Sequence, residues 1–254
     1  MIRDFAGNRK GVILAVTLGV TAIFSLSSFS LEPITADLSP VGPQSVQTFR
    51  LTNPSNEPIA LRIQVFTRDL NEEGREINQP ADTLFTVYPS RVLLNPRAIQ
   101  LVRVQWRGDP NPSRELAFRV VVEQLPVEFG ESRSRGGAIR ILTRYVGALY
   151  IVPDQAKPEI QINLQGIGTN KEGRKGVSLL VKNVGTAHTL LNDLKIELSL
   201  GSKTLQFQED ALPGLAGENL LAGSQKPYFL PFPEELPELD VSTVSINFTY
   251  EATR

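Results

Sequence analysis

The chain has 254 residues, with 26 basic and 27 acidic side chains, one histidine and a formal charge of −1. A chain so close to neutral has no bulk electrostatic reason to bind nucleic acid. With no cysteine it can have no disulfide staple, thiolate nucleophile or cysteine metal site, so the fold must rest on an ordinary apolar core, and the length suffices for one large or two modest domains.

The first segment reads as a secretory leader. Arg3, Arg9 and Lys10 are followed by an uncharged apolar run from Gly11 to Leu26, and Ser28-Phe29-Ser30 supplies small residues at both ends of a cleavage tripeptide. The run is shorter than the roughly 20 apolar residues of a membrane span, so residues 1–30 are expected to be a removed signal peptide rather than a retained anchor. No later segment is apolar enough to span a bilayer, so no stable membrane insertion is expected after cleavage.

From there to residue 153 the chain alternates apolar and polar residues in short runs. Candidate strands are Ile34–Leu38, Val46–Asn53, Ala60–Thr67, Leu84–Tyr88, Ile99–Trp106, Ala117–Gln124 and an unusually long run, Ile139–Val152. Asn53-Pro54-Ser55-Asn56, Asn71-Glu-Glu-Gly74, Asn95-Pro96 and Gly108-Asp-Pro-Asn-Pro112 are turn signals between them. Seven such strands predict an antiparallel sandwich of immunoglobulin type. Its core is expected to hold Phe49, Leu51, Leu61, Ile63, Val65, Val102, Val104, Trp106, Phe118, Val120 and Val122.

In the long run the odd positions Ile139, Ile141, Thr143, Tyr145, Gly147, Leu149 and Ile151 share one face, while Arg140 and Arg144 lie on the other. A run this much longer than the usual five or six residues can lend part of its apolar face to another protein. The segment before it, Gly130–Gly137, is charged and glycine-rich, and is expected to be mobile until a partner orders it.

Pro153-Asp-Gln-Ala-Lys-Pro158 then reads as a short linker. Beyond it, Ile160–Leu164, Val177–Asn183, Leu194–Leu200, Thr204–Gln208, Tyr228–Leu230 and Val241–Tyr250 predict a second, smaller β-sandwich, with a glycine-bearing loop over Pro213–Gly223. The fold class is therefore all-β, two immunoglobulin-like sandwiches joined at an angle, covering 31–153 and 158–254.

Catalytic chemistry finds little to use. His188 is the only histidine; a turn or half-buried residue making one hydrogen bond is the expected reading, since a triad or histidine metal site would have to be built around it alone. Gly166-Ile-Gly168 lacks the strand-to-helix setting of a dinucleotide loop and reads as a turn. Asn247-Phe-Thr249 has the pattern of a glycosylation acceptor but falls within a strand. No enzyme activity, cofactor or metal is expected. Arg119, opposite in parity to Phe118 and Val120, and Arg144 are expected to come together on neighbouring strands near the angle between domains, where guanidinium groups match a carboxylate.

Leu51-Thr-Asn53, Glu57-Pro-Ile-Ala60, Leu94-Asn-Pro96 leading into Val102-Arg-Val104, the run Phe118–Pro126, and the long run ending at Pro153 together resemble the periplasmic pilus-assembly chaperones of chaperone–usher systems. Val181–His188 and the closing strand fit the resemblance more loosely. The best-studied branch carries an arginine in its first strand and a lysine late in its last; the corresponding places here hold Asp37 or Leu38, and Ala148, so the chain is more similar to the divergent archaic branch. The resemblance implies a periplasmic, non-catalytic carrier that inserts its last first-domain strand into pilus or fimbrial subunits and passes them to an outer-membrane usher. It also implies that Arg119 and Arg144, with Arg140 in reserve, hold the subunit's terminal carboxylate, and that Ile139, Ile141 and Thr143 are donor residues. Self-association of the free protein is one way to protect such an edge. A secreted structural or adhesive β-sandwich is the competing reading.

Overall fold

The computed structural model describes residues 28–71, 74–127, 141–201, 203–233 and 244–253. The strands of the first half are β1 (Ser30–Glu32), β2 (Thr35–Leu38), β3 (Val46–Thr52), β4 (Ile59–Thr67), β5 (Asp69–Leu70), β6 (Glu76–Ile77), β7 (Phe85–Tyr88), β8 (Arg91–Leu94), β9 (Ile99–Trp106), β10 (Leu116–Gln124) and β11 (Arg144–Ile151). One sheet has the order β1-β3-β9-β7 and the other β2-β11-β10-β4-β8, while β5 and β6 form a separate hairpin. The chain thus changes sheets between β1 and β2: β1 pairs antiparallel with β3, and β2 runs parallel to β11.

Alternation explains the packing. The inward positions of both sheets, among them Phe49, Leu51, Leu61, Ile63, Val65, Val102, Val104, Val120, Val122, Leu149 and Ile151, form one buried cluster. Each expected core residue of this half is in it. Phe85, Trp106 and Phe118 close one end with edge-on ring contacts. The cluster also includes Phe29, which is buried and meets Tyr145 edge-on at 4.9 Å, and Ser30 is paired with Thr52 in β1. Phe29 and Ser30 are thus packed with the sandwich rather than apart from it.

The second half contains β12 (Ile160–Thr169), β13 (Lys175–Asn183), β14 (Thr189–Leu200), β15 (Lys203–Phe207), β16 (Asn219–Leu220), β17 (Gln225–Pro231) and β18 (Val244–Thr253). The sheet β12-β13-β17 faces a sheet centred on β14, which pairs with β15, β16 and β18, and the two enclose a separate core that includes Val177, Leu179, Val181, Ile196, Leu198 and Leu230. The fold is all-β, two immunoglobulin-like sandwiches; the described helical structure consists of two single 3-10 turns, Pro43–Ser45 and Glu209–Ala211. Gly166-Ile-Gly168 is not a turn: it lies in β12, where a bulge between Leu164 and Gly166 absorbs the irregular pattern. The Pro213–Gly223 loop contains the short strand β16 and buries Leu215, Leu220 and Leu221.

Each sandwich is tied by a buried asparagine at the end of an inner strand. Asn53 Nδ2 donates to the carbonyls of Glu57, Leu94 and Asn95 at 2.8–3.1 Å, and its Oδ1 accepts from the Ser55 backbone and hydroxyl. Asn183 Nδ2 donates to the carbonyls of Ala187 and Leu220, and its Oδ1 accepts from the Glu159 and Gly185 backbones. Truncation would leave several buried backbone groups unpaired, so Asn53→Ala and Asn183→Ala are each expected to lower stability by about 1–3 kcal/mol. Denaturant unfolding of each variant checks this; unchanged midpoints would refute it.

Candidate functional site

β11 has two notable features, one along its edge and one where the two sandwiches meet. The first is an edge. β10 pairs with β11 along its length, from Glu123 opposite Arg144 to Leu116 opposite Ile151, and the ladder extends one step further through a hydrogen bond from Gln124 N to Thr143 O. On the other side β2 pairs only with Ala148 to Ile151. Among the described strands, none pairs with this edge from Arg144 to Gly147.

Gly147 marks where cover begins. A β-carbon there would stand 2.8 Å from the Ile34 carbonyl oxygen, the same oxygen that accepts from Ala148 N at 2.8 Å, so only glycine lets β2 come this close. The odd face of β11 points inward at Tyr145, Gly147, Leu149 and Ile151, as expected from the alternation. Before β11 the same parity leaves the sandwich: Ile141 is 60% exposed, with Leu142 beside it and Val146 exposed on the other face. The regular strand begins at Arg144, later than the expected Ile139. Ile139, Arg140 and Gly130–Gly137 lie outside the described residues.

The second feature lies where the two sandwiches meet. Tyr150, near the end of β11, is one of the largest fully buried side chains. Its hydroxyl accepts from Arg68 at 3.0 Å and from Asn219 of the second sandwich at 2.9 Å, while its ring stacks on His188 at 3.9 Å. His188 Nδ1 in turn lies 2.7 Å from Glu115 Oε1, and both side chains are buried. The expected turn or half-buried histidine is instead a fully buried contact between sandwiches. A cavity of about 330 Å³ opens alongside, lined by Arg68, Arg114 and Glu115 from the first half and by Leu221 and Ser224 from the second.

On the same side of β10, Arg119 makes a two-pronged contact with Glu76 of the β5–β6 hairpin: Nε to Oε1 at 2.8 Å and a terminal nitrogen to Oε2 at 2.6 Å. Arg68 Nε donates to the same Oε2 at 3.0 Å. The hydrogen bonds from Arg119 lower the Glu76 carboxyl from 4.5 to about 2, against the upward push of partial burial and with help from the charges of Arg119 and Arg68 and a hydrogen bond from Asn78. Arg119 is raised in return, first by its hydrogen bond to Glu76. Two guanidinium groups therefore converge on one carboxylate.

Arg119 and Arg144 share a sheet face but are not brought together. Arg119 is opposite Ala148, whereas Arg144 is opposite Glu123, four positions along β10 and roughly 14 Å away at about 3.4 Å per residue. Arg144 is exposed on the open edge; Glu123 itself is held by Arg62 of β4. The residues that accompany Arg119 are Arg68 and Glu76, which sequence reading missed. Asn71-Glu-Glu-Gly74 signalled the hairpin turn, but nothing local shows that the turn delivers Glu76 to a strand more than forty residues later.

Residues 41–157 match the family described as pili and flagellar-assembly chaperone, PapD N-terminal domain. The match covers most of the first sandwich and stops in the linker before the second. The family is one of chaperones rather than enzymes. No curated protein sequence matches the chain. Among solved structures, the fold of the whole chain is similar to the chaperone-tip adhesion subunit complex of the archaic chaperone-usher Csu pili of Acinetobacter baumannii, CsuC–CsuE, with a TM-score of 0.58 and 16% identity over 87% of this chain and 97% of that one. It is also similar to the class 5 fimbriae chaperone CfaA, with a TM-score of 0.53 and 16% identity over 88% of this chain and 100% of the other. The Salmonella enterica SafA pilin complex with the SafB chaperone gives 0.52 and 19% identity, over 81% and 85% of the two chains. At these identities the likeness is one of fold.

The lowered Glu76 value carries a sign. A carboxylate whose folded value lies below its unfolded one stabilises the fold above the unfolded value, and that contribution is lost as pH falls. For Glu76 the loss runs from about pH 4.5 down to about 2. Glu76→Gln is therefore expected to flatten the stability profile in that window, with no such difference in slope above pH 6. Denaturant midpoints of parent and variant measured across this range provide the check; parallel profiles would refute it.

Proposed function

We propose that this protein is a periplasmic chaperone that captures pilus or fimbrial subunits by donating the β11 edge and delivers them to an outer-membrane usher. The observation that carries the reading is the half-covered edge of β11, left open by the described strands from Arg144 to Gly147 and preceded by exposed Ile141, in a domain that matches the pilus-chaperone family. Strand addition supplies main-chain hydrogen bonds, and alternate side chains fill pockets in the partner. Ile139, Ile141 and Thr143 are the proposed donor residues. Each fully buried isoleucine would contribute roughly 1.5–3 kcal/mol before ordering costs.

Arg119 is the proposed anchor for the subunit's terminal carboxylate. The pairing register favours Arg68 over Arg144 as its companion, leaving Arg144 and Arg140 to the approach along the edge. The reading needs no catalysis and no cofactor. It is supported by solved complexes of chaperones with a tip adhesion subunit and with a pilin in proteins of similar fold. In this reading a leader sends the chain across the inner membrane and ends before the buried Phe29, and two separately cored domains follow, the first running to residue 153 from Phe29, two residues before the expected start at 31, and the second over 158–254. Pairing of two free edges would protect the unliganded protein.

Co-expression with candidate subunits followed by size-exclusion chromatography of the periplasmic fraction tests the proposal. A one-to-one complex is expected from the parent. Replacing Ile139 and Ile141 with serine should abolish capture with little salt dependence, and Arg119→Ala should weaken it by about 2–5 kcal/mol if the charge pair is buried. Recovery of the protein at the cell surface without a subunit would instead favour a structural or adhesive module.

A further inference from the structure

Arg119 and Arg68 already hold a carboxylate, and it belongs to the chain itself. Glu76 engages Arg119 through both oxygens and shares one with Arg68, which is the geometry a peptide's terminal carboxylate would adopt on a guanidinium pair. The hairpin that carries Glu76 is short, two residues in each strand, and lies outside both sheets of the sandwich. It approaches the second sandwich: a β-carbon on Gly74 would be 3.9 Å from the Gln225 carbonyl oxygen. Arg68 is held in place independently of Glu76 by the Tyr150 hydroxyl, which is fixed by Asn219. Removing Glu76 therefore leaves a positioned cationic site beside an open cavity that Arg68 also lines.

We propose that Glu76 is a resident stand-in for the partner's terminal carboxylate: it occupies the Arg119–Arg68 site in the free protein and is exchanged for the incoming carboxylate on capture. The idea rests on the chaperone reading above and deepens it. Exchange keeps two arginines from standing unpaired at the meeting of the sandwiches, and it replaces one carboxylate by another, so little net charge is buried in the step. It also makes the site selective. A ligand without a terminal carboxylate gives nothing in return for displacing Glu76, whereas one that has it restores both guanidinium contacts.

The test uses the mature protein and two probes: an N-acetylated extended peptide of alternating valine and threonine with a free terminal carboxylate, and the same peptide as its C-terminal amide. Titration calorimetry of the parent should show the acid binding more tightly than the amide. Glu76→Gln should strengthen binding of the acid by about tenfold or more and leave the amide unchanged, since the competitor's charge is gone. Adding Arg68→Ala to that variant should return the acid to near parental affinity. A readout on the unmutated protein guards against folding effects: the Glu76 carboxyl, followed by carbon NMR, should titrate near 2 in the free protein and move toward the ordinary glutamate range when the acid peptide is bound, but not the amide.

If the acid binds better than the amide yet Glu76→Gln leaves that preference unchanged and the Glu76 resonance does not move, the stand-in role is refuted while the anchor survives. If acid and amide bind alike throughout, the anchor fails and the stand-in with it, though the donor edge stands. If neither peptide binds any variant, the edge reading itself is overturned.

Discussion

The structure turns on how the backbone groups of β11 are shared. A strand inside a sheet has both rows of N–H and C=O groups paired; one at the margin has a row that must find water or another chain. Among the described strands β11 is in both situations at once, central from Ala148 to Ile151 and marginal from Arg144 to Gly147. The change follows from the first segment dividing itself between sheets, so that β2 is only four residues long. Longer cover would bury the edge, and none would leave Leu149 and Ile151 on a margin. The division is sharp because Gly147 permits, and a larger residue would forbid, the approach of the Ile34 carbonyl.

The inner end of the same strand sets the second sandwich against the first. Tyr150 is on the outward parity of β11, yet it is buried because the second sandwich covers it. Arg68 and Asn219 meet at its hydroxyl from opposite halves, and His188 lies on its ring. A fixed hydroxyl holding a cation is a means of orienting that cation, so the packing that joins the sandwiches also aims Arg68 at the carboxylate site. Stability and site geometry are coupled through one side chain.

How much of this could be read in advance depends on the kind of information involved. Parity was legible: the alternation in Phe118–Val122 and Tyr145–Ile151 placed Phe118, Val120, Leu149 and Ile151 inside and Arg119 and Arg144 outside, and the structure agrees. Register was not, because the span between β10 and β11 is too long for a turn type to set it. Arg119 and Arg144 were thus on the right face and too far apart. The Arg119–Glu76 contact is harder still, since it needs the path of a hairpin outside both sheets. His188 and Tyr150 carried no local signal because neither sandwich buries them alone. Phe29 was read with the leader since small residues flank it, whereas its aromatic partner Tyr145 lies over a hundred residues away.

An open edge alone has little specificity, because main-chain hydrogen bonds are the same at every step and a slip by one residue exchanges the faces. A carboxylate site at a fixed place on the neighbouring strand supplies the missing reference. Arg119 is opposite Ala148, and from Ala148 back to Ile141 an extended chain covers roughly 24 Å at about 3.4 Å per residue. On the chaperone reading, a partner whose chain end is held at Arg119 has its residues counted out along this distance, and only one register brings its pockets to the odd-numbered side chains. The arginine pair then sets register as well as adding affinity, whereas the apolar donors add affinity without choosing register. Such a division of labour calls for a charge site that is rigid and never empty, and Tyr150 and Glu76 provide those two properties in the free protein.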